Sequence, residues 1–120
     1  MKFLVVDDEP EILETMAFFI DVTGHSVETC SKPELALRLD DDFDAIISDY
    51  NMPNMNGYDF LEQSKGKWPN SIRVLISGFR EPMEMKDKRT LVHKAFAKPF
   101  AIEEMLGEIV KYAKESSFPI

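Results

Sequence analysis

Two short apolar runs in this chain end in aspartate. Phe3-Leu4-Val5-Val6 leads into Asp7-Asp8, and Ala45-Ile46-Ile47 leads through Ser48 into Asp49. Each run is aliphatic and bounded by turn formers, which predicts a buried strand. In an open α/β sheet, ligands gather at the carboxyl ends of the strands. If the two strands are parallel neighbours, three carboxylates converge at one edge of the sheet. Like charges so placed repel unless a proton or a cation is shared among them. Carboxylate oxygens suit a hard cation such as magnesium. A single Asp after a strand needs no such explanation, because Asp commonly opens a loop. A pair on one strand and a third on another does need one.

The rest of the chain alternates in the same way. Ile12, Leu13, Met16, Phe19 and Ile20 recur at helical spacing between Glu11 and Thr23, and Gly24 suits the helix end. Residues 25–30 predict a short strand, with His25 in the connection. Ser31-Lys32-Pro33-Glu34 has the pattern of a capping box, followed by a short helix with Leu35, Ala36 and Leu39 inward. Asp40-Asp41-Asp42 is a turn and lacks the ligand spacing and glycine of a calcium loop. After Asp49 comes a turn-rich loop, Tyr50 to Gly57, then a helix starting near Tyr58 and closed by Trp68-Pro69-Asn70. Ile72 to Ile76 predicts a fourth strand, ending at Ser77-Gly78. Val92 to Ala97 predicts a fifth, ending at Lys98-Pro99. Ile102, Met105, Leu106, Ile109, Val110 and Ala113 mark a final amphipathic helix. Five strand–helix units in succession predict an α/β fold, a parallel sheet with helices on both faces. Between strands four and five, residues 81–90 carry apolar side chains only at Met83 and Met85, which predicts a short or mobile helix there.

The chain has 120 residues, of which 44% are apolar, so a single domain over 1–120 with its core in about 2–114 is expected. No apolar run approaches the roughly 20 residues that span a bilayer. The opening run stops at Asp7, too early for a signal peptide. A cytoplasmic protein is therefore expected, and the one cysteine, Cys30, cannot form an internal disulfide. The net charge of −8 argues against direct nucleic-acid binding. The short run Lys86-Asp87-Lys88-Arg89 reads as a solvated helix face.

Four strand ends now carry a polar residue of definite type: Asp7-Asp8, Asp49, Ser77 and Lys98. Carboxylates with a cation, a hydroxyl and an ammonium suit phosphoryl transfer. Asp49 can form an acyl phosphate as nucleophile. A cation and Lys98 neutralise the phosphoryl oxygens, Ser77 hydrogen-bonds one of them, and Gly78 leaves room.

This set resembles the receiver domain of two-component response regulators, of the chemotaxis-type single-domain kind. The resemblance covers residues 2 to about 114. It rests on Val5-Val6-Asp7-Asp8-Glu9-Pro10, Asp49-Tyr50-Asn51-Met52-Pro53 with Gly57, Ser77-Gly78 and Lys98-Pro99-Phe100. It implies a flavodoxin-like sheet in the order 2-1-3-4-5. Asp49 is then the phosphoacceptor, served by a histidine kinase or a histidine phosphotransfer protein. Asp8, Asp49 and the backbone carbonyl of Asn51 bind magnesium, with Asp7 acting mostly through water. Lys98 pairs with the phosphoryl group, and the Lys98–Pro99 bond is cis. Output goes to a partner protein, with no nucleic acid and no membrane involved, and the only catalysis is self-phosphorylation and slow self-dephosphorylation.

Two features depart from the family. The usual aromatic residue three before the lysine is Ala95, and Phe96 should face the opposite side of the sheet. The segment from Ser77 to Lys98 is also slightly short. Two alternatives stay open: an interaction module that works without phosphorylation, and a haloacid-dehalogenase-type phosphatase. The latter needs a second Asp two residues after the nucleophile, where this chain has Asn51.

Overall fold

A computed structural model describes residues 1–78 and 91–116 of the chain. The elements run β1 (Lys2–Val6), α1 (Pro10–Val22), β2 (Ser26–Cys30), α2 (Pro33–Ala36), β3 (Ala45–Asp49), α3 (Gly57–Lys67), β4 (Ile72–Ser77), β5 (Lys94–Ala97) and α4 (Ile102–Glu115). All strand pairs are parallel, and the sheet order is β2-β1-β3-β4-β5. The expected flavodoxin-like α/β architecture is therefore present. The expected helix over 81–90, the basic run at 86–89 and the tail at 118–120 lie outside the described residues. Among the described residues, no helix is long and apolar enough to cross a membrane.

Strand side chains alternate between faces, and here both faces are apolar. Phe3, Val5, Ala45, Ile47, Ile72, Val74 and Ile76 pack with Leu13, Met16 and Ile20 of α1 and Met105, Leu106 and Ile109 of α4. Leu4, Val6, Ile46 and Leu75 pack on the other side with Ala36, Phe60, Leu61 and Trp68. A sheet covered on both faces is what a parallel arrangement requires.

Local chemistry sets the helix ends. Gly24 takes a positive φ of 89°, which lets the chain turn from α1 into β2. The Asn56 side chain caps α3 by accepting from the Asp59 amide at 2.9 Å. The Trp68 indole N–H donates to the Asp41 carbonyl at 2.7 Å, and its ring meets Phe43 edge to face at 5.3 Å between centroids.

Two details differ from the sequence expectation. The Ser31 capping box does not form. Pro33 takes the first turn of α2, so the residue before it, Lys32, is the N-cap in the extended conformation that a following proline imposes. The helix then spans four residues; Ala36 is buried as expected and Leu39, beyond the helix end, packs half-buried on the same core, but Leu35 is 45% exposed. The fifth strand also starts late, at Lys94 rather than Val92, because Arg73 and His93 replace regular ladder bonds there.

Candidate functional site

β1 and β3 are paired with Val6 opposite Ser48, so Asp7 and Asp49 leave the sheet side by side. Both are buried, at 2% and 4% exposure, while Asp8 is exposed. One oxygen from each of the three carboxylates lies within 4.8 Å of the others. The Asp7 amide donates to the Cys30 carbonyl at 3.3 Å, and its Oδ1 accepts from the Glu9 amide at 2.9 Å. Burial pushes the Asp7 carboxyl up to about 6; the Glu9 hydrogen bond opposes this, and the Asp49 charge adds to it. A buried carboxyl with raised proton affinity, standing beside two further carboxylates, is short of positive charge. The donors of the cluster are all hard oxygens, so the three aspartates fit a magnesium-type cation.

Lys98 supplies one positive charge. Its Nζ lies 2.9 Å from Asp49 Oδ1. Burial works to lower the lysine, but the hydrogen bond to Asp49 and the charges of Asp49 and Asp7 hold it above its ordinary value. β5 delivers Lys98 to this place. The Lys98 amide donates to the Ser77 carbonyl at 2.9 Å, and Ser77 itself is buried at 1% exposure. The Lys98–Pro99 bond is cis, as expected.

The loop after Asp49 closes against the same edge. The Tyr50 amide donates to the Ile76 carbonyl and the Gly57 amide to the Tyr50 carbonyl, each at 2.8 Å. A Cβ on Gly57 would stand 2.5 Å from the Asp49 carbonyl oxygen and 2.9 Å from Tyr50 Cα. Gly57 is thus the residue that lets α3 approach the back of Asp49. Met52 and Met55 anchor the loop against the Leu4–Leu75 face. Asn51 sits on this loop, exposed. By contrast, a Cβ on Gly78 meets nothing within 4 Å, in keeping with open space beside Ser77.

The sequence-predicted residues Asp7, Asp8, Asp49, Ser77 and Lys98 therefore share one sheet edge. Ala95 and Phe96 divide as strand alternation requires. Ala95 packs with the Leu75 face and Phe96 with the opposite face, beside Ile102 and Tyr112. His25 plays no part in the site; its Nδ1 lies 3.0 Å from the terminal amine. Glu9, expected at the site from the Asp7-Asp8-Glu9-Pro10 run, serves it through its main chain, whose amide orients Asp7. Nothing in its side-chain type signals that task.

Known proteins share this fold. The family model described as response regulator receiver domain matches residues 3–110. The transcriptional regulatory protein FlgR of Helicobacter pylori is 31% identical over 121 residues, an alignment covering 98% of this chain and 31% of FlgR. The chain thus spans under a third of that relative's length. The chemotaxis protein CheY4 of Vibrio cholerae superposes with a TM-score of 0.83 at 26% identity, covering 92% of this chain and 96% of that one. TrrA of Thermotoga maritima, solved in complex with Mg2+-BeF, superposes with a TM-score of 0.82 at 23% identity, covering 92% and 96%. With the family model spanning both aspartate-bearing strands and the lysine-bearing one, the chain belongs to the response regulator receiver domain family.

Proposed function

We propose that Asp49 is the phosphoacceptor of this receiver domain and that the switch is set by its acyl phosphate. A carboxylate oxygen of Asp49 attacks the phosphorus of a phosphohistidine on a histidine kinase or a histidine phosphotransfer protein. The P–N bond breaks, and its electron pair leaves with the imidazole, which is neutral when its other nitrogen carries a proton. Lys98, already beside Asp49 Oδ1, carries its charge to the phosphoryl oxygens. The Ser77 hydroxyl donates to one of them. A magnesium ion held by Asp8, Asp49 and the Asn51 carbonyl, with Asp7 through water, would supply the remaining positive charge. Hydrolysis of the acyl phosphate by water resets the domain.

The observation that carries this assignment is the 2.9 Å contact of Lys98 Nζ with a buried Asp49 beside two further carboxylates. Phosphorylation then shifts a pre-existing equilibrium of the domain, by as much as the phosphoryl contacts differ between its two states. Output passes through a protein–protein contact made by the receiver domain over residues 1–120, in the cytoplasm.

Incubation with acetyl phosphate and magnesium, read by intact mass, tests the proposal. One added phosphoryl group is expected in the wild type and none in Asp49→Ala. No gain in the wild type would favour an interaction module that works without phosphorylation. Turnover of a small phosphate monoester, not expected with Asn51 in place of a second Asp, would favour a phosphatase.

A further inference from the structure

β5 carries little side-chain information about its own register. It has four residues, Lys-Ala-Phe-Ala, at the edge of the sheet, three half-buried and one exposed. Phe96 is its one large apolar residue. An edge strand of this kind is prone to slip, and a slip of one residue turns every side chain to the other face. Lys98 follows directly, so its reach to Asp49 depends on that register.

The foot of the strand is held by an unusual pair. Regular pairing of β4 with β5 starts at Val74 opposite Lys94, so the Arg73 amide lies one step before the ladder. The Ile72 amide turns to Asp44 on the β3 side at 2.9 Å, which leaves the Arg73 amide facing the β5 side. There it meets a side chain, donating to His93 Nδ1 at 2.9 Å. The His93 amide returns a bond to the Arg73 carbonyl, also at 2.9 Å. The Arg73 guanidinium is buried and folds back onto the same segment. Its Nε donates to the Leu91 carbonyl at 2.6 Å and its Nη1 to the Ser71 carbonyl at 3.3 Å. Moving the strand start would strip partners from a buried amide, two carbonyls and a buried cation together, each costly to leave unmet.

The bond from Arg73 needs a neutral imidazole, since a protonated ring has no acceptor. Burial keeps His93 neutral, down to about 4, with the charges of Arg73 on β4 and Lys65 on α3 adding to it. Among the described residues, the Tyr112 ring of α4 also stands beside His93, 5.7 Å away between centroids, and the ammonium of the neighbouring Lys94 rests 5.5 Å over that ring.

We propose that His93, clamped by Arg73, is a positioning residue for Lys98: it pins the register of β5 and so sets the reach of the lysine to Asp49. The functional meaning rests on the reading of Asp49 as phosphoacceptor, but the test does not. It compares His93→Leu, which removes the acceptor, with His93→Gln, which keeps an acceptor that does not titrate. Amide exchange at residues 95–97 and an NMR titration of the Lys98 ammonium are measured on unphosphorylated protein. His93→Leu should speed exchange at 95–97 at least tenfold more than in β1 and β3, and return Lys98 toward the ordinary lysine value. His93→Gln should keep both close to wild type. Exchange raised equally in all strands, with Lys98 unmoved, would overturn the proposal. Should His93→Leu fail to fold, wild type and His93→Gln are compared from pH 6 to 4. Selective loss of protection at 95–97 in the wild type supports the pin, and equal loss in both overturns it. Absence of phosphorylation at Asp49 would sink that assignment and leave these readouts unchanged.

Discussion

β3 and β5 both end in a residue of the site, and they are held by opposite means. β3 is buried at all five positions and hydrogen-bonded to a strand on each side. β5 is an edge strand with one neighbour and four positions that all retain some exposure. Asp49 is therefore placed by packing on both faces, whereas Lys98 is placed by a few polar bonds at the two ends of its strand. The proposed phosphoacceptor sits on the stiffer support, and the lysine proposed to pair with the phosphoryl group sits on the more yielding one.

Four changes should break or sharpen that contrast. The largest effect belongs to Ile47→Ala, which empties a fully buried position in the middle of β3. It should cost about 3–4 kcal/mol in denaturant unfolding. Gly57→Ala comes next. Its Cβ meets main-chain atoms that cannot swing aside, so a loss of about 2–3 kcal/mol is expected, with slower phosphorylation as Asp49 is displaced.

Asp7→Asn should act in the opposite direction. The folded carboxyl holds its proton up to about 6, against 3.8 ordinarily. The unfolded chain releases that proton first, so this group lowers stability as pH rises from about 4 to 6, and the penalty is complete at pH 7. Asparagine removes the penalty. A gain of about 1–2 kcal/mol at pH 7, vanishing near pH 3, is expected in the same unfolding assay. Added magnesium should stabilise the wild type more than the variant. The smallest effect belongs to Ala97→Ser on the exposed position of β5, within about 0.5 kcal/mol. A loss at Ala97 matching that at Ile47 would erase the distinction between the two strands.

Much of this molecule is legible in its sequence, for local reasons. Strand and helix periods are written within ten residues, and the turn formers after each strand mark where the site must lie. Asp7, Asp8, Asp49, Ser77 and Lys98 could thus be named before their convergence was seen. What escaped depends on contacts distant in sequence. Arg73 reads as an ordinary polar residue in a strand, and His93 as one more strand residue; only their pairing across 20 positions shows the clamp. The missed cap of α2 was a competition between Ser31 as hydrogen-bond acceptor and Pro33 as a rigid first residue, which the proline won. Gly57 was named from its motif, but the reason for it, the Asp49 carbonyl behind it, is tertiary.

Trp68 gives the molecule an uneven optical voice. It is the chain's one tryptophan, 5% exposed, and it closes α3 at the end opposite Gly57. The eleven residues between those ends span about 16 Å of helix. Its indole is clamped to Asp41 and Phe43, at the pole of the sheet away from Asp7, Asp8 and Asp49. Its emission therefore reports faithfully whether the chain is folded, while staying nearly silent to what happens at Asp49.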